Sequence, residues 1–342
     1  MLIQRGIMDF SSRWQFADTY DNRRGGRFVR LSTSRRWSIV IVTAFVAIGA
    51  LVASSSTGST AGTMTAYAIP STVARDCSVD VTAVLNSLIG TLPDNSTLSF
   101  PANGCYQIDG TIRISGKHGL TLNGNNSSFR AMTSGAELPA KQARTRDLFL
   151  VINSTNVTIT NAIAYGANPY AGLSDSAYNP AFEAQHGFEV SSSSYVTLDQ
   201  VQAYNVYGDF VYIGGGGTMP SRYVTVKDST FRANGRIGIT IANATDVSIY
   251  HNTLDQMRRS VFDLEPYAKV WVIERITIQD NTIGPARLNF FSNYGNCAVV
   301  DTIQVLQNQL VGQELNGEVL NGSTCTIRRR NFTFAGNRRR SG

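Results

Sequence analysis

A short alternating element recurs along this 342-residue chain, and its spacing constrains the fold more than any other feature. An apolar-polar-apolar triplet appears as Leu120-Thr121-Leu122, Val157-Thr158-Ile159, Val196-Thr197-Leu198 and Val224-Thr225-Val226. It continues as Val247-Ser248-Ile249, Ile276-Thr277-Ile278, Ile303-Gln304-Val305 and Cys325-Thr326-Ile327, at intervals of 37, 39, 28, 23, 29, 27 and 22 residues. Each triplet is too short and too β-branched for a helix, and its period of two predicts a strand. A second apolar run follows most of them, as in residues 208–214, 238–242, 260–265 and 288–292, with polar turns between. A sandwich or propeller needs hairpins, and the two-residue Asn-Gly or Asp-Gly signature seldom falls between these runs. A coil that stacks each turn on the last explains the period better, so the expected fold is all-β, a parallel β-helix. Asn252, Asn281 and Asn308 follow the first strand at one offset in three successive turns. Stacked there, their amides would satisfy backbone groups at a corner of the coil.

The net charge of +6 suggests nucleic acid until it is divided along the chain. Residues 1–36 carry eight Arg against three Asp, and two Arg triplets, Arg328–Arg330 and Arg338–Arg340, lie near the other end. The body between is mildly acidic, so no nucleic-acid partner is expected. Trp37 to Ala53 is a stretch of seventeen uncharged residues, preceded by Arg30, Arg35 and Arg36 and followed by a Ser/Thr/Gly run. That length lies between a signal-peptide core and a membrane span, and both readings stay open. Either one puts residues 1–36 in the cytoplasm and the body outside, secreted or tethered to the membrane through residues 37–53 if they are uncleaved. The expected organisation is a basic segment 1–36, the apolar segment 37–53, a linker 54–75, the β-helix over 76–335 and a basic tail 336–342. Cys77 and Cys105 are 28 residues apart, as are Cys297 and Cys325. In an exported chain this predicts the disulfides Cys77–Cys105 and Cys297–Cys325, one near each end of the coil. No close cysteine pair suggests zinc, and no metal or other cofactor is expected, although a calcium requirement stays open.

The opening segment from Asp80-Val81-Thr82 to Leu88, with Leu92-Pro93-Asp94, Leu98-Ser99-Phe100-Pro101 and Cys105-Tyr106, resembles the pectate-lyase-like superfamily. The resemblance implies a right-handed, single-stranded parallel β-helix whose N-terminal helix caps the open end of the coil. It covers roughly residues 76–335. That superfamily hosts lyases, hydrolases, epimerases and non-catalytic surface proteins, so it implies a fold and a menu of activities. His186-Gly187-Phe188-Glu189 is similar to the Tyr-Gly-Phe-Asp-Pro-His segment of mannuronan C5-epimerases, with Glu189 in place of the Asp and Val190-Ser191 in place of Pro-His. The polygalacturonase motif set is absent. Phe262-Asp263-Leu264-Glu265-Pro266 resembles an Asp-x-Glu-Pro element of many β-helix proteins.

Alternate side chains of a strand face opposite ways. With the large apolar residues inward, the second-strand stripe turns Glu189, Asp209, Arg236, Asp263, Glu265 and Asn289 outward as a charged stripe on one face. Asp263 and Glu265 are two residues apart, roughly 6.5–7 Å by strand rise, near the separations used in glycoside hydrolysis. Mutual repulsion would raise one of their pKa values and leave an acid beside a base. Asp209 would be a second carboxylate, His186 a general base, Arg236 an anchor for a sugar carboxylate and Tyr207 a stacking platform, with Glu189 and Asn289 contacting substrate. The expected function is an exported β-helix protein that cleaves or epimerises an extracellular, uronate-containing polysaccharide. The competing expectation is a glycan-binding or structural surface protein without catalysis.

Overall fold

The structure is a computed structural model that describes residues 64–340 apart from 215–218, 269, 296–298 and 322–327. The basic segment 1–36, the apolar segment 37–53 and the cysteine pair Cys297–Cys325 lie outside the described residues. Among the described residues no helix is long and apolar enough to cross a membrane.

The chain forms a parallel β-helix. One turn runs through the strand Val211–Ile213, turns into Ser221–Lys227, bends again into Thr230–Asn234, and reaches Ile239–Ile241 one turn below Val211–Ile213. All described strand pairings are parallel. They build an 18-stranded sheet that folds around two sides of the coil and an 8-stranded sheet on the third. The triplets of the sequence align in register, Val157 with Val196, Val224, Val247, Ile276 and Ile303. Their apolar members point inward. Ile159, Leu198, Val226, Ile249, Ile278 and Val305 form a column with no exposed surface. Branched side chains suit this position because their stiff rotamers pack well against identical neighbours on a pleated surface.

The last turn departs from the sequence reading. Ile303 pairs with Phe332, so Phe332-Thr333-Phe334 takes the place expected for Cys325-Thr326-Ile327. Both triplets alternate in the same way, and only the spacing of the intervening loop distinguishes them. The ends of the coil also move outward. Thr65–Ala68 pairs with Ser96–Ser99, and Arg338–Arg340 pairs with Gln309–Val311, so the coil passes the expected limits of 76 and 335. Neither four-residue Thr-Ala-Tyr-Ala nor a run of Arg reads as a strand. Backbone hydrogen bonds to the neighbouring turn hold both.

The corners are made by residues in the left-handed region. Each triplet is preceded by one, at Asn156, Tyr195, Tyr223, Asp246, Arg275 and Thr302, with φ between 54° and 60°. At the next corner the expected asparagine column is present and longer by one member. Asn252 donates to Asn281 Oδ1 at 3.0 Å, Asn281 to Asn308 Oδ1 at 2.9 Å, and Asn308 to Asn337 Oδ1 at 2.9 Å. Each side-chain oxygen also accepts the backbone N–H of the Asn one turn above.

The helix Thr82–Thr91 closes the N-terminal end, burying Leu85 and Ile89 completely. Asp80 accepts the backbone N–H of Thr82 at 2.9 Å, and Lys117 Nζ donates to the carbonyls of Gly90 and Leu92 at the other end of the helix. An ammonium there satisfies the last orphan carbonyls and complements the helix dipole. Asn86 bonds the carbonyl of Thr111 and the N–H of Arg113, so the helix covers the edge of the first strand of the 8-stranded sheet. The Cys77–Cys105 disulfide is formed, with Cα atoms 5.0 Å apart, and ties the strand Asp76–Asp80 to Cys105–Gln107.

Candidate functional site

The candidate residues gather on the outer face of the 8-stranded sheet. Its register aligns Leu150, Glu189, Tyr212, Thr240, Asp263 and Ser292 in one outward column. Asp209 and Arg236 sit in the turns leading into the strands Val211–Ile213 and Ile239–Ile241, and Glu265 directly follows Phe262–Leu264. Arg236 spans the strand between them. Its Nη1 donates to Asp209 Oδ2 at 2.8 Å, and its Nη2 meets Glu265 Oε1 at 2.9 Å and Oε2 at 2.8 Å. Asp209 Oδ1 accepts the backbone N–H of Ile237 at 3.0 Å. The expected exposed stripe is therefore a buried network: Asp209 is 0% exposed, Asp263 5%, Glu265 6% and Arg236 7%. Parity within a strand set these side chains outward. It carried no information about the oppositely charged partners that let them pack down together.

Asp263 stands beside this network with no arginine of its own. Its Oδ1 is buried and finds no hydrogen-bond partner among the described residues. Burial first, and the Glu265 carboxylate second, push its pKa well above the ordinary carboxylate value, against the pull of Arg236. The result is a carboxyl biased toward its protonated form next to a carboxyl held by an arginine. The phenol of Tyr267 hydrogen-bonds Glu265, and burial raises the pKa of that phenol.

Three turns up from Asp263, His186 Nδ1 accepts the backbone N–H of Asp209 at 3.0 Å, so the neutral ring carries its proton on Nε2. Burial, then Arg236, hold the imidazole well below its usual pKa of 6.5. With its accepting nitrogen engaged, the ring has no lone pair left to serve as a base. It stacks on Tyr212 with centroids 4.7 Å apart. The backbone N–H of His186 donates to Asp147 Oδ1 at 3.2 Å. Asp147, which the sequence did not single out, hydrogen-bonds Glu189, and burial raises the pKa of both carboxyls.

Residues 112–337 match the family described as the right handed beta helix region. The chain belongs to that family. Several solved structures are similar to the chain. An endo-xylogalacturonan hydrolase from Aspergillus tubingensis is similar at 14% identity with a TM-score of 0.50, covering 80% of this chain and 93% of that one. A family 28 exopolygalacturonase of Yersinia enterocolitica matches at 11% identity and TM-score 0.42, covering 80% and 78%. PfbA, a surface adhesin of Streptococcus pneumoniae, matches at 12% identity and TM-score 0.38, covering 77% and 92%. At these identities the likeness is one of fold. No curated protein matches the chain in sequence.

In this right-handed β-helix, two inserts flank the site, residues 131–148 and 166–187. Gln185 donates to the carbonyls of Ser134 and Ala143 at 2.8 and 2.6 Å, locking one insert to the other, and Arg144 pairs with Glu183. Tyr178 donates to Glu183 at 2.6 Å, and Asp175 reaches down the coil to Arg258 at 2.9 Å. Gly235 permits this approach, because a Cβ there would lie 2.5 Å from the Ala177 carbonyl oxygen. Residues 167–180 thus form a wall along the coil. Tyr207 is 8% exposed and packs against Phe182, so its ring is part of the wall's footing. Asn289 is half-buried, and its carbonyl accepts the N–H of Val261.

Among the described residues no group of three or more His, Cys, Asp or Glu could hold a metal ion. The donor set suits calcium poorly. That ion takes six to eight oxygens, whereas Asp209 and Glu265 are committed to Arg236 and Glu189 to Asp147.

Proposed function

We propose that this β-helix protein acts on an extracellular polysaccharide at the outer face of the 8-stranded sheet, with Asp263 as the proton donor. The supporting observation is the buried, unpartnered Oδ1 of Asp263 next to the Arg236-held Glu265 carboxylate. A buried polar atom without a partner is costly, and such atoms cluster where chemistry needs them. In this reading the Asp263 proton passes to a glycosidic oxygen as its bond to the anomeric carbon breaks, and water supplies the hydroxyl to the sugar and returns a proton to Asp263. Glu265 is a positioning residue: with burial, its proximity favours the protonated form of Asp263. Arg236, itself paired with Asp209, holds Glu265 in place. Export through residues 37–53 would deliver the coil to such a polymer. The chemistry asks for no cofactor.

The test measures reducing-end release and unsaturated-uronate absorbance on a panel of neutral and acidic polysaccharides, for the wild type and Asp263→Asn. The expected result is release of reducing ends by the wild type, lowered about a hundredfold or more in the variant, the usual scale for losing a general acid. Equal turnover by both proteins removes Asp263 from catalysis. A second reading, glycan binding without chemistry, is favoured by one observation. The two Nη groups of Arg236 are already paired with Asp209 and Glu265, so its charge is committed to those carboxylates rather than offered to a sugar carboxylate. In that case the wild type retains glycan and turns none over.

A further inference from the structure

A different face of the coil carries a second constellation, on the outer side of the strands that hold the triplets. A trough of about 650 Å3 runs across five turns there, lined by Tyr195, Tyr223, Asp246, Arg275 and a row of hydroxyls. The row is Thr158, Thr197, Thr225 and Ser248, one per turn and directly in register. All four are half-buried, and no hydrogen bond engages their hydroxyls among the described residues. Tyr195 and Tyr223 stack with centroids 4.6 Å apart and planes within 12°. They remain 54% and 47% exposed. Among the described residues nothing apolar covers them, in contrast with Tyr207 and Tyr212, which are buried in the wall and against His186.

The two tyrosines also occupy an unfavourable backbone position. Both take φ near +55°, the left-handed corner that Asn156 and Asp246 fill in the adjoining turns. Asn and Asp tolerate that region because their short polar side chains bond locally, whereas a bulky aromatic does not. Two consecutive turns therefore place an exposed aromatic ring where backbone stability favours Asn. Backbone strain of this kind is kept where the side chain is needed. The cation in the trough is already paired. Arg275 binds Asp246 through Nε at 2.6 Å and Nη2 at 2.8 Å, and Glu274 through Nη1 at 3.0 Å.

We infer that this trough is a binding site for a neutral polysaccharide chain, separate from the Asp263 site. The stacked pair offers its exposed ring edges and outer faces as apolar surface to the C–H groups of a sugar ring. The hydroxyl row repeats about every 4.8 Å along the coil, close to the length of one pyranose, so an extended chain lying along the axis meets a fresh hydroxyl at each ring. An acidic chain finds no unpaired cation there, which selects against uronates.

The test titrates the full chain, carrying Asp263→Asn to stop turnover at the other face, with cellohexaose, xylohexaose, mannohexaose and hexagalacturonate by calorimetry. The same titrations are run after adding Tyr195→Asn and Tyr223→Asn. At least one neutral hexasaccharide is expected to bind, and the double substitution to weaken it tenfold or more while the thermal midpoint holds or rises. Hexagalacturonate binding, if any, is expected to be indifferent to the tyrosines. The inference is overturned if no neutral hexasaccharide binds, or if binding survives the double substitution. A fall in thermal midpoint overturns it by making the tyrosines structural. A change in oligomeric state on losing them makes the occupant a second copy of this chain, and equally overturns it. None of these outcomes touches the turnover assay on which the Asp263 reading stands.

Discussion

Arg236 grips both carboxylate oxygens of Glu265, a residue 29 positions further along the chain and in the next turn of the coil. The same guanidinium holds Asp209 from the turn above. Three charges that local sequence would leave in water are thereby taken out of it together, and each depends on the other two.

Removing the centre of that arrangement strands two buried carboxylates. Arg236→Met, which keeps the length of the side chain, is expected to lower unfolding free energy by about 3–5 kcal/mol, the usual cost of breaking a buried ion pair from one side. Urea denaturation measures it. A loss under about 1 kcal/mol would show that water reaches the network.

Asp263 gives a pH signature of definite sign. Its folded pKa lies well above its ordinary value of 3.8. Between those two values the unfolded chain has released a proton that the folded chain retains, so stability falls as pH rises across that window and stays lower above it. Asp263→Asn removes that loss. Wild type and variant should therefore differ little at pH 3, and the variant should be the more stable at pH 7, as read from thermal midpoints at each pH. A variant less stable at neutral pH would contradict a buried, protonated Asp263.

The asparagine column should show a gradient with depth. Asn281 donates to Asn308, Ile249 and Gln279 and accepts two bonds from Asn252. Asn281→Ala leaves several buried groups unpaired and is expected to cost roughly 2–4 kcal/mol. Asn337→Ala, at the partly buried end, should cost about 1 kcal/mol. Equal costs at both positions would mean that the column does not act through its buried contacts.

Loss of the Cys77–Cys105 bridge, as the double Ser variant, should cost about 2–4 kcal/mol by freeing the loop it closes. Hydrogen exchange should rise first in the strands Asp76–Asp80 and Cys105–Gln107, which the bridge joins. Uniform exchange along the coil would place the effect in the unfolded chain alone.

The sequence by itself determined the coil. Its triplets fix which side chains face inward, because inward and outward alternate within a strand whatever lies beyond it. The same repetition made Asn252, Asn281 and Asn308 legible as a column, while the cap at Asp80 to Leu88 was legible only through the resemblance to the pectate-lyase-like superfamily. Tertiary structure decided the rest. Where two triplets compete for one rung, as Cys325–Ile327 and Phe332–Phe334 do, only pairing with Ile303 selects the winner. Whether an outward residue is wet depends on groups that arrive from other turns. Asp209, Arg236 and Glu265 are buried because opposite charges meet across three turns, and Asp147 joins Glu189 from an insert with no repeat to mark it. Tyr195 and Tyr223 did carry a trace, each standing directly before a Val-Thr triplet in successive turns. Their exposure, unlike their position, follows from what the fold leaves uncovered. Periodicity is a local property that a single strand can express, whereas burial and charge pairing belong to the stack.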